Sequence, residues 1–298
     1  MDFSGGQVYE SSNGSRSRLN TLMLTALAML AFAANSVLCR LALGAGHIDA
    51  ASFASVRVAA GAIVLATLMA PRWRRQARAA TDWRMVFMLF VYMAFFSFAY
   101  VTLSTGTGAL ILFGAVQLTM FAVALRLGEH FSVMSWTGLV LAFAGLIYLV
   151  SPGLTAPDPL GALLMSIAGV AWGVYSLLGR GAADPLEATA NNFIFCVPMV
   201  AAVSLFFHVE FHATAKGIVL AATSGGIASG IGYAIWYTAL RGLTATRAAT
   251  VQLSVPAIAA LGGVLLLAEE LTTRLIVASV ATLGGVWVVL AQRAKTAG

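Results

Sequence analysis

Apolar residues fill this chain in runs of about twenty, separated by short polar links. The runs lie at Leu19–Leu43, Ala51–Ala70, Trp83–Leu103, Gly108–Leu127, Ser132–Ser151, Leu160–Gly179, Thr189–His208, Gly217–Leu240, Ala245–Ala268 and Thr272–Ala291. About twenty mostly apolar residues are needed for a helix to cross the hydrocarbon core of a bilayer. The pattern therefore predicts ten transmembrane helices. None of the runs alternates with period two, as the strands of a membrane β-barrel would. The links carry turn chemistry, as in Gly44–Gly46, Pro152–Pro159 and Arg241–Leu243. They are short enough to force neighbouring helices into antiparallel hairpins.

The spans also repeat. Ala31–Arg40 reads AFAANSVLCR and Ala171–Arg180 reads AWGVYSLLGR, an offset of 140 residues. The same offset carries Leu127-Gly128-Glu129 onto Leu267-Ala268-Glu269, and Gly145 onto Gly285. It slips by three between them, where Tyr100 pairs with Tyr237. The chain thus divides into a polar tail at 1–18, expected to be disordered and cytoplasmic, a five-helix repeat at 19–151 and a second at 160–292. An odd number of helices per repeat makes the second enter the membrane from the opposite side. Inverted repeats of this kind place a site near the midplane, between the halves. The expected fold is all-α: ten transmembrane helices in two inverted repeats around a central cavity. Within the aligned pair, Asn35 meets Tyr175 and Ala33 meets Gly173, so the halves share a scaffold and offer a ligand different groups.

Composition agrees with the pattern. Of 298 residues, 60% are hydrophobic and 9% charged, with a mean hydropathy of +0.91, against roughly 25% charged in soluble domains. The net charge of +6 does not imply nucleic acid, because the basic residues sit at span boundaries. With the amino terminus inside, thirteen fall on the cytoplasmic side: Arg16, Arg18, Arg72, Arg74, Arg75, Arg78, Arg84, Arg126, Arg180, Arg241, Arg247, Arg293 and Lys295. Only Arg40, Arg57, Lys216 and Arg274 fall on or toward the other. The positive-inside rule then puts both termini in the cytoplasm. Cys39 and Cys196 lie within apolar runs and read as buried thiols.

Several motifs resemble the drug/metabolite transporter superfamily. Ser55-Val-Arg57-Val-Ala-Ala-Gly61, early in the second span, is similar to its Arg-containing signature. Val255-Pro256-Ala-Ile followed by Leu267-Ala-Glu269-Glu-Leu-Thr272 resembles its ninth helix and the ending after it. Leu127-Gly-Glu129-His-Phe-Ser132 repeats that ending in the first half. The resemblance covers the chain after the tail and points to the EamA-type ten-helix group, and within it to bacterial, especially aromatic, amino-acid exporters. Val116 stands where the second half has Pro256. The resemblance implies a basket of ten helices in a bacterial inner membrane. Its cavity would be lined by helices one, three, four, six, eight and nine, and amino acids or similar metabolites would move outward through it.

No Asp, Glu, Lys or His lies clearly at mid-span, although ionisable groups there mark pathways and proton relays. Without a titrating carboxylate, uniport or exchange down the substrate's own gradient is the more economical mechanism, with proton-coupled drug or metabolite efflux as the alternative. Arg57 is expected to be structural, snorkelling outward, pairing with Asp49, or tying helix two to neighbouring carbonyls. The deep polar and aromatic residues form the candidate cavity lining: Asn35, Tyr92, Phe96, Tyr100, Gln117, Trp172, Tyr175, Ser176, Tyr233, Trp236, Tyr237 and Gln252. Ring faces attract an ammonium group, and hydroxyls and amides hydrogen-bond a carboxylate, so such a lining suits a zwitterion. Helix packing by the same aromatics is the competing reading for any single one. Gly226, Gly230 and Pro256 are the candidate hinges. No Walker A loop, HExxH or CxxC motif is present. No metal or cofactor is therefore expected, and the expected partners are a small zwitterionic solute and the lipid bilayer, with the chain a monomer. A membrane-embedded transferase is the reading of another class. It would need a catalytic cluster at one face, and the arginines at Arg72–Arg78 are only a boundary charge run.

Overall fold

The computed structural model describes residues 5–76, 78–179, 182–243 and 245–296. It is helical, with no β-strand among the described residues beyond a single Ile48–Ala213 bridge. Ten helices carry the fold: α1 (Gly5–Leu43), α2 (Ala50–Trp73), α3 (Trp83–Ala99), α4 (Thr105–Arg126), α5 (Val133–Val150), α6 (Pro159–Gly179), α7 (Pro185–Phe206), α8 (Ala215–Leu240), α9 (Arg247–Leu267) and α10 (Thr273–Thr296). Nine of these are long and apolar enough to cross a membrane, and α3 is the shorter tenth. In α1 the membrane-length apolar part is Leu19–Leu43, with the helix beginning earlier at Gly5. The chain is an integral multi-pass membrane protein.

The starts of several helices follow from side chains that accept orphan backbone N–H groups. Asp49 accepts from Ser52, Asp82 from Arg84, Ser104 from Thr107, Ser132 from Ser135 and Thr214 from Gly217. Besides α1, which begins fourteen residues before its expected run, at Gly5 rather than Leu19, three helices depart from the expected pattern. α3 stops at Ala99, four residues before Leu103, in a turn in which Tyr100 closes onto Phe96. α8 takes up a π-helical stretch at Ser224–Ile231. The ninth run is interrupted at Leu253, between helical pieces Ala245–Gln252 and Ser254–Leu267. Pro256 explains that break, because its ring opposes the carbonyl four residues earlier, at Gln252, and it has no N–H to give.

Links alternate between two faces of the bundle. On the face predicted to be external, Thr214 N–H donates to His47 C=O and Asp49 N–H to His212 C=O, each at 2.8 Å, tying the α1–α2 and α7–α8 links. Thr102 in the α3–α4 link donates to Asp158 at 3.1 Å. On the opposite face Arg72 pairs with Asp184, and Glu187 accepts from Trp73 Nε1 at 3.0 Å and Ala79 N–H at 3.1 Å. Arg180 lies outside the described residues.

The helix pairs are α1 with α8 and α9, α2 with α7 and α8, α3 with α6, α4 with α6 and α9, and α5 with α10. The α4–α6 crossing is close because Gly169 and Gly173 face α4. A Cβ at Gly169 would stand 2.6 Å from Ala115 Cβ, and one at Gly173 2.9 Å from Thr119 Cβ. Pairs of small residues four apart let helices in a membrane approach in this way. α5 and α10 lie against each other at the rim, leaving α1, α3, α4, α6 and α8 to enclose the centre.

Candidate functional site

The centre of the bundle holds a tightly closed pocket of about 20 Å³, room for about one water molecule, walled by Phe32, Asn35 and Ser36 of α1, Tyr92 and Phe96 of α3, Leu112 and Phe113 of α4, Trp172 of α6, and Ala228, Ser229 and Tyr233 of α8. Its aromatic wall is continuous. Trp172 stacks between Tyr175 and Tyr233, at centroid distances of 5.2 and 5.5 Å and interplanar angles of 18°, and Tyr92 lies 4.8 Å from it. Phe32 tilts onto Tyr233 at 5.8 Å. Such pairs stabilise by about 0.5–1.5 kcal/mol beyond their burial, so the lining is stiff. The polar groups of the wall are uncharged. Asn35 Oδ1 accepts from Ser224 Oγ, where α8 turns π-helical. Ser229 Oγ is buried with no hydrogen-bond partner.

Five of the expected lining residues, Asn35, Tyr92, Phe96, Trp172 and Tyr233, meet in this wall. The other seven do not. Tyr100 is buried one turn beyond Phe96, its ring against Gly108 and its O–H donating to Thr105 C=O at 3.3 Å. Tyr175 backs Trp172 and spends its hydroxyl on Thr189 and Asn192. Tyr237 shares Thr189 at 3.0 Å and lines a hollow nearer the predicted inner face with Arg72 and Asp184. Ser176 donates to its own helix at Trp172 C=O, 2.7 Å away. Trp236 packs its edge on Phe32. Gln252 bonds back to Ala248 C=O at the break in α9. Gln117 lines a different, larger hollow of about 130 Å³ between α4, α5, α6, α9 and α10. That hollow is walled mostly by aliphatic side chains, whereas the polar groups able to orient a ligand converge on the smaller central pocket.

The sequence reading of Arg57 needs correction. Its side chain neither snorkels nor pairs with Asp49, which instead caps α2 and accepts from His212 N–H. Arg57 is wholly buried behind the pocket wall. It donates to Tyr92 Oη at 3.1 Å and lies 4.7 Å from the Phe96 ring centre and 5.5 Å from that of Tyr92. Contact with two rings stands where a counter-charge would be expected. The reason it can sit so deep is local: Gly225 of the π-helical stretch has no Cβ, and one built there would fall 1.9 Å from Arg57 C=O. That close approach lets α8 cover the arginine. The sequence marks Gly226 and Gly230, neighbours of Gly225, and Arg57 separately, because the contact is between helices far apart in the chain.

Two polar layers bracket the pocket. Toward the predicted outer face, Arg40 Nε lies 3.4 Å from Glu269, and Arg40 also donates to Val101 C=O at 2.9 Å. Glu269 in turn accepts the Thr105 N–H that opens α4, at 2.9–3.0 Å. A vestibule lined by these groups with Asp158, Glu270 and Thr272 lies outside that layer. The Arg72–Asp184 pair occupies the other end.

Comparison with known proteins gives this architecture a family. Residues 159–291 match the EamA-like transporter family. The chain is 51% identical over 273 residues to an uncharacterized protein of Pseudomonas aeruginosa, covering 92% of this chain and 95% of that one. It is 25% identical over 216 residues to an uncharacterized transporter of Archaeoglobus fulgidus, covering 70% of this chain and 76% of that one. A solved crystal structure superposes with a TM-score of 0.63 over 92% of this chain and 99% of that one, at 18% identity, which is a likeness of fold.

Proposed function

We propose that this chain, which belongs to the EamA-like transporter family, exports amino acids or related small zwitterionic metabolites across a bacterial inner membrane. Membership makes it a multi-pass membrane transporter of the drug/metabolite type; the substrate, the direction and the mechanism are our reading. The observation that carries it is the central pocket, where rings and uncharged polar groups from five helices converge between two polar layers.

The mechanism we assign is alternating access between two inverted five-helix repeats. The helix pairing supports it. Exchanging each helix for its counterpart five places on turns the α3–α6 contact into α8–α1, and α4–α6 into α9–α1, while α2–α7, α4–α9 and α5–α10 map onto themselves. Every one of those partners is in contact. A pocket between the repeats can then open to one face as the other layer closes. Transport proceeds as uniport or exchange, because the acidic residues among the described ones sit at helix ends and links. No chemical step is assigned to the chain.

Overproduction in a bacterial host should raise resistance to toxic amino-acid analogues, and Trp172→Ala should abolish that resistance at equal membrane abundance. Unaltered sensitivity across a broad analogue panel would remove the export reading.

A further inference from the structure

We propose that Arg57 is the receptor for a carboxylate on the transported solute, so that the central pocket selects organic acids and amino acids over amines and amides of the same shape. This rests on the reading of the pocket as the substrate site.

Arg57 has no accessible surface, and its Nε and Nη1 find no hydrogen-bond partner. Arg57 takes no part in the ion pairs Arg40–Glu269, Arg72–Asp184 and Arg84–Asp82. A buried charge is retained in proteins when it is paired and hydrogen-bonded, and in a membrane interior it marks a functional position. The two donors left over, Nε and Nη1, lie on different edges of the guanidinium plane, and each can give a carboxylate oxygen one charge-assisted hydrogen bond. Aromatic rings stand between the guanidinium and the pocket: Tyr92 and Phe96 lie against Arg57 and also line the pocket. A second orphan, Ser229 Oγ, stands in the same wall. The Tyr92 and Phe96 rings touch at a centroid distance of 5.3 Å, so a carboxylate reaches Arg57 when they part, and it then replaces the ring contacts with a charge-assisted pair. The solute's apolar end and ammonium would remain among Phe32, Trp172 and Tyr233. Packing alone does not account for an arginine here, since an apolar side chain would fill the space without leaving two donors unused.

Binding read by intrinsic tryptophan fluorescence tests this without relying on transport. The purified full chain in detergent would be titrated with phenylalanine, 3-phenylpropionate, phenylalaninamide and phenylethylamine, on the wild type and on Arg57→Met and Arg57→Lys. The wild type should bind the two carboxylates at least ten-fold more tightly than the amide and the amine. Arg57→Met should bind all four alike. Arg57→Lys, which keeps the charge but not the planar fork, should retain part of the preference. Equal binding of carboxylates and amide by the wild type overturns the proposal while leaving the pocket intact, and this arm needs no variant to fold. A folded Arg57→Met that keeps the ten-fold preference also overturns it. If none of the four probes binds, the reading of the pocket itself fails, and the proposal with it.

Discussion

At the residue scale the account turns on Tyr92, which faces two ways. Its hydroxyl takes the one hydrogen bond Arg57 makes, and its ring stacks near Trp172. Tyr92→Phe removes the first and keeps the second. Hydrogen bonds to charged groups stabilise by roughly 1.5–3 kcal/mol in soluble proteins, but side-chain hydrogen bonds inside membrane bundles average nearer 0.6. We expect a loss of about 1 kcal/mol, read as a lowered unfolding midpoint in detergent, with the aromatic wall intact by tryptophan fluorescence. A midpoint equal to the wild type would mean that the ring contacts alone hold Arg57. Tyr92, Phe96 and Tyr100 recur every four residues and are all expected to line the cavity, yet Tyr100 is taken out of the pocket by the early end of α3. Periodicity gives the face of a helix but not the depth at which the helix stops.

At the scale of elements, the informative pieces are those where regular helix fails. The π-helical stretch of α8 holds Gly225 against Arg57 and Gly230 against Val64. Gly225→Ala places a methyl where backbone already stands, so α8 must withdraw from α2. The expected outcome is a sharp fall in folded yield from membranes, measured by monodisperse recovery on size-exclusion chromatography. Gly226→Ala is the control, because a Cβ there meets the flexible Val64 side chain at 3.3 Å and backbone no nearer than Ala60 C=O at 3.9 Å; its recovery should stay close to the wild type. In α9, the break at Leu253 and Pro256 fit a hinge as well as a fixed bend. Pro256→Ala separates them: a hinge predicts a transport rate lowered several-fold with substrate affinity unchanged, and a fixed bend predicts no such split. Helix positions were legible in the sequence because a bilayer demands long apolar runs. The π-helical stretch was visible only as two candidate hinge glycines, Gly226 and Gly230, since its form depends on what α2 and α1 present to it.

At the scale of the whole molecule, the helical membrane topology is what the sequence exposes best. Hydropathy and short links decide which helices are neighbours along the chain, and the 140-residue offset suggests which correspond. Five of the expected lining residues meet in one pocket because α1, α3, α6 and α8 all reach the centre. The layer above it was not foreseen as a unit. Arg40 and Glu269 were read separately as boundary residues, although their pairing closes α1 onto the α9–α10 link and the start of α4. If that layer is the outer gate, Glu269→Gln weakens the closed state. Cysteine pairs reporting opening at that face should then label faster in membranes, by about five-fold or more. Unchanged labelling would assign the pair to folding alone.

The central claim is that this chain carries small zwitterions through the pocket without a proton drive. Counterflow in proteoliposomes tests it most directly. Vesicles holding the purified chain are loaded with unlabelled amino acids, one at a time across a panel, and uptake of trace labelled substrate is followed with and without an imposed pH gradient. The account predicts transient, saturable accumulation for at least one amino acid, unaffected by the gradient and lost in Trp172→Ala. Counterflow for no member of the panel, or net accumulation that requires the pH gradient, would contradict it.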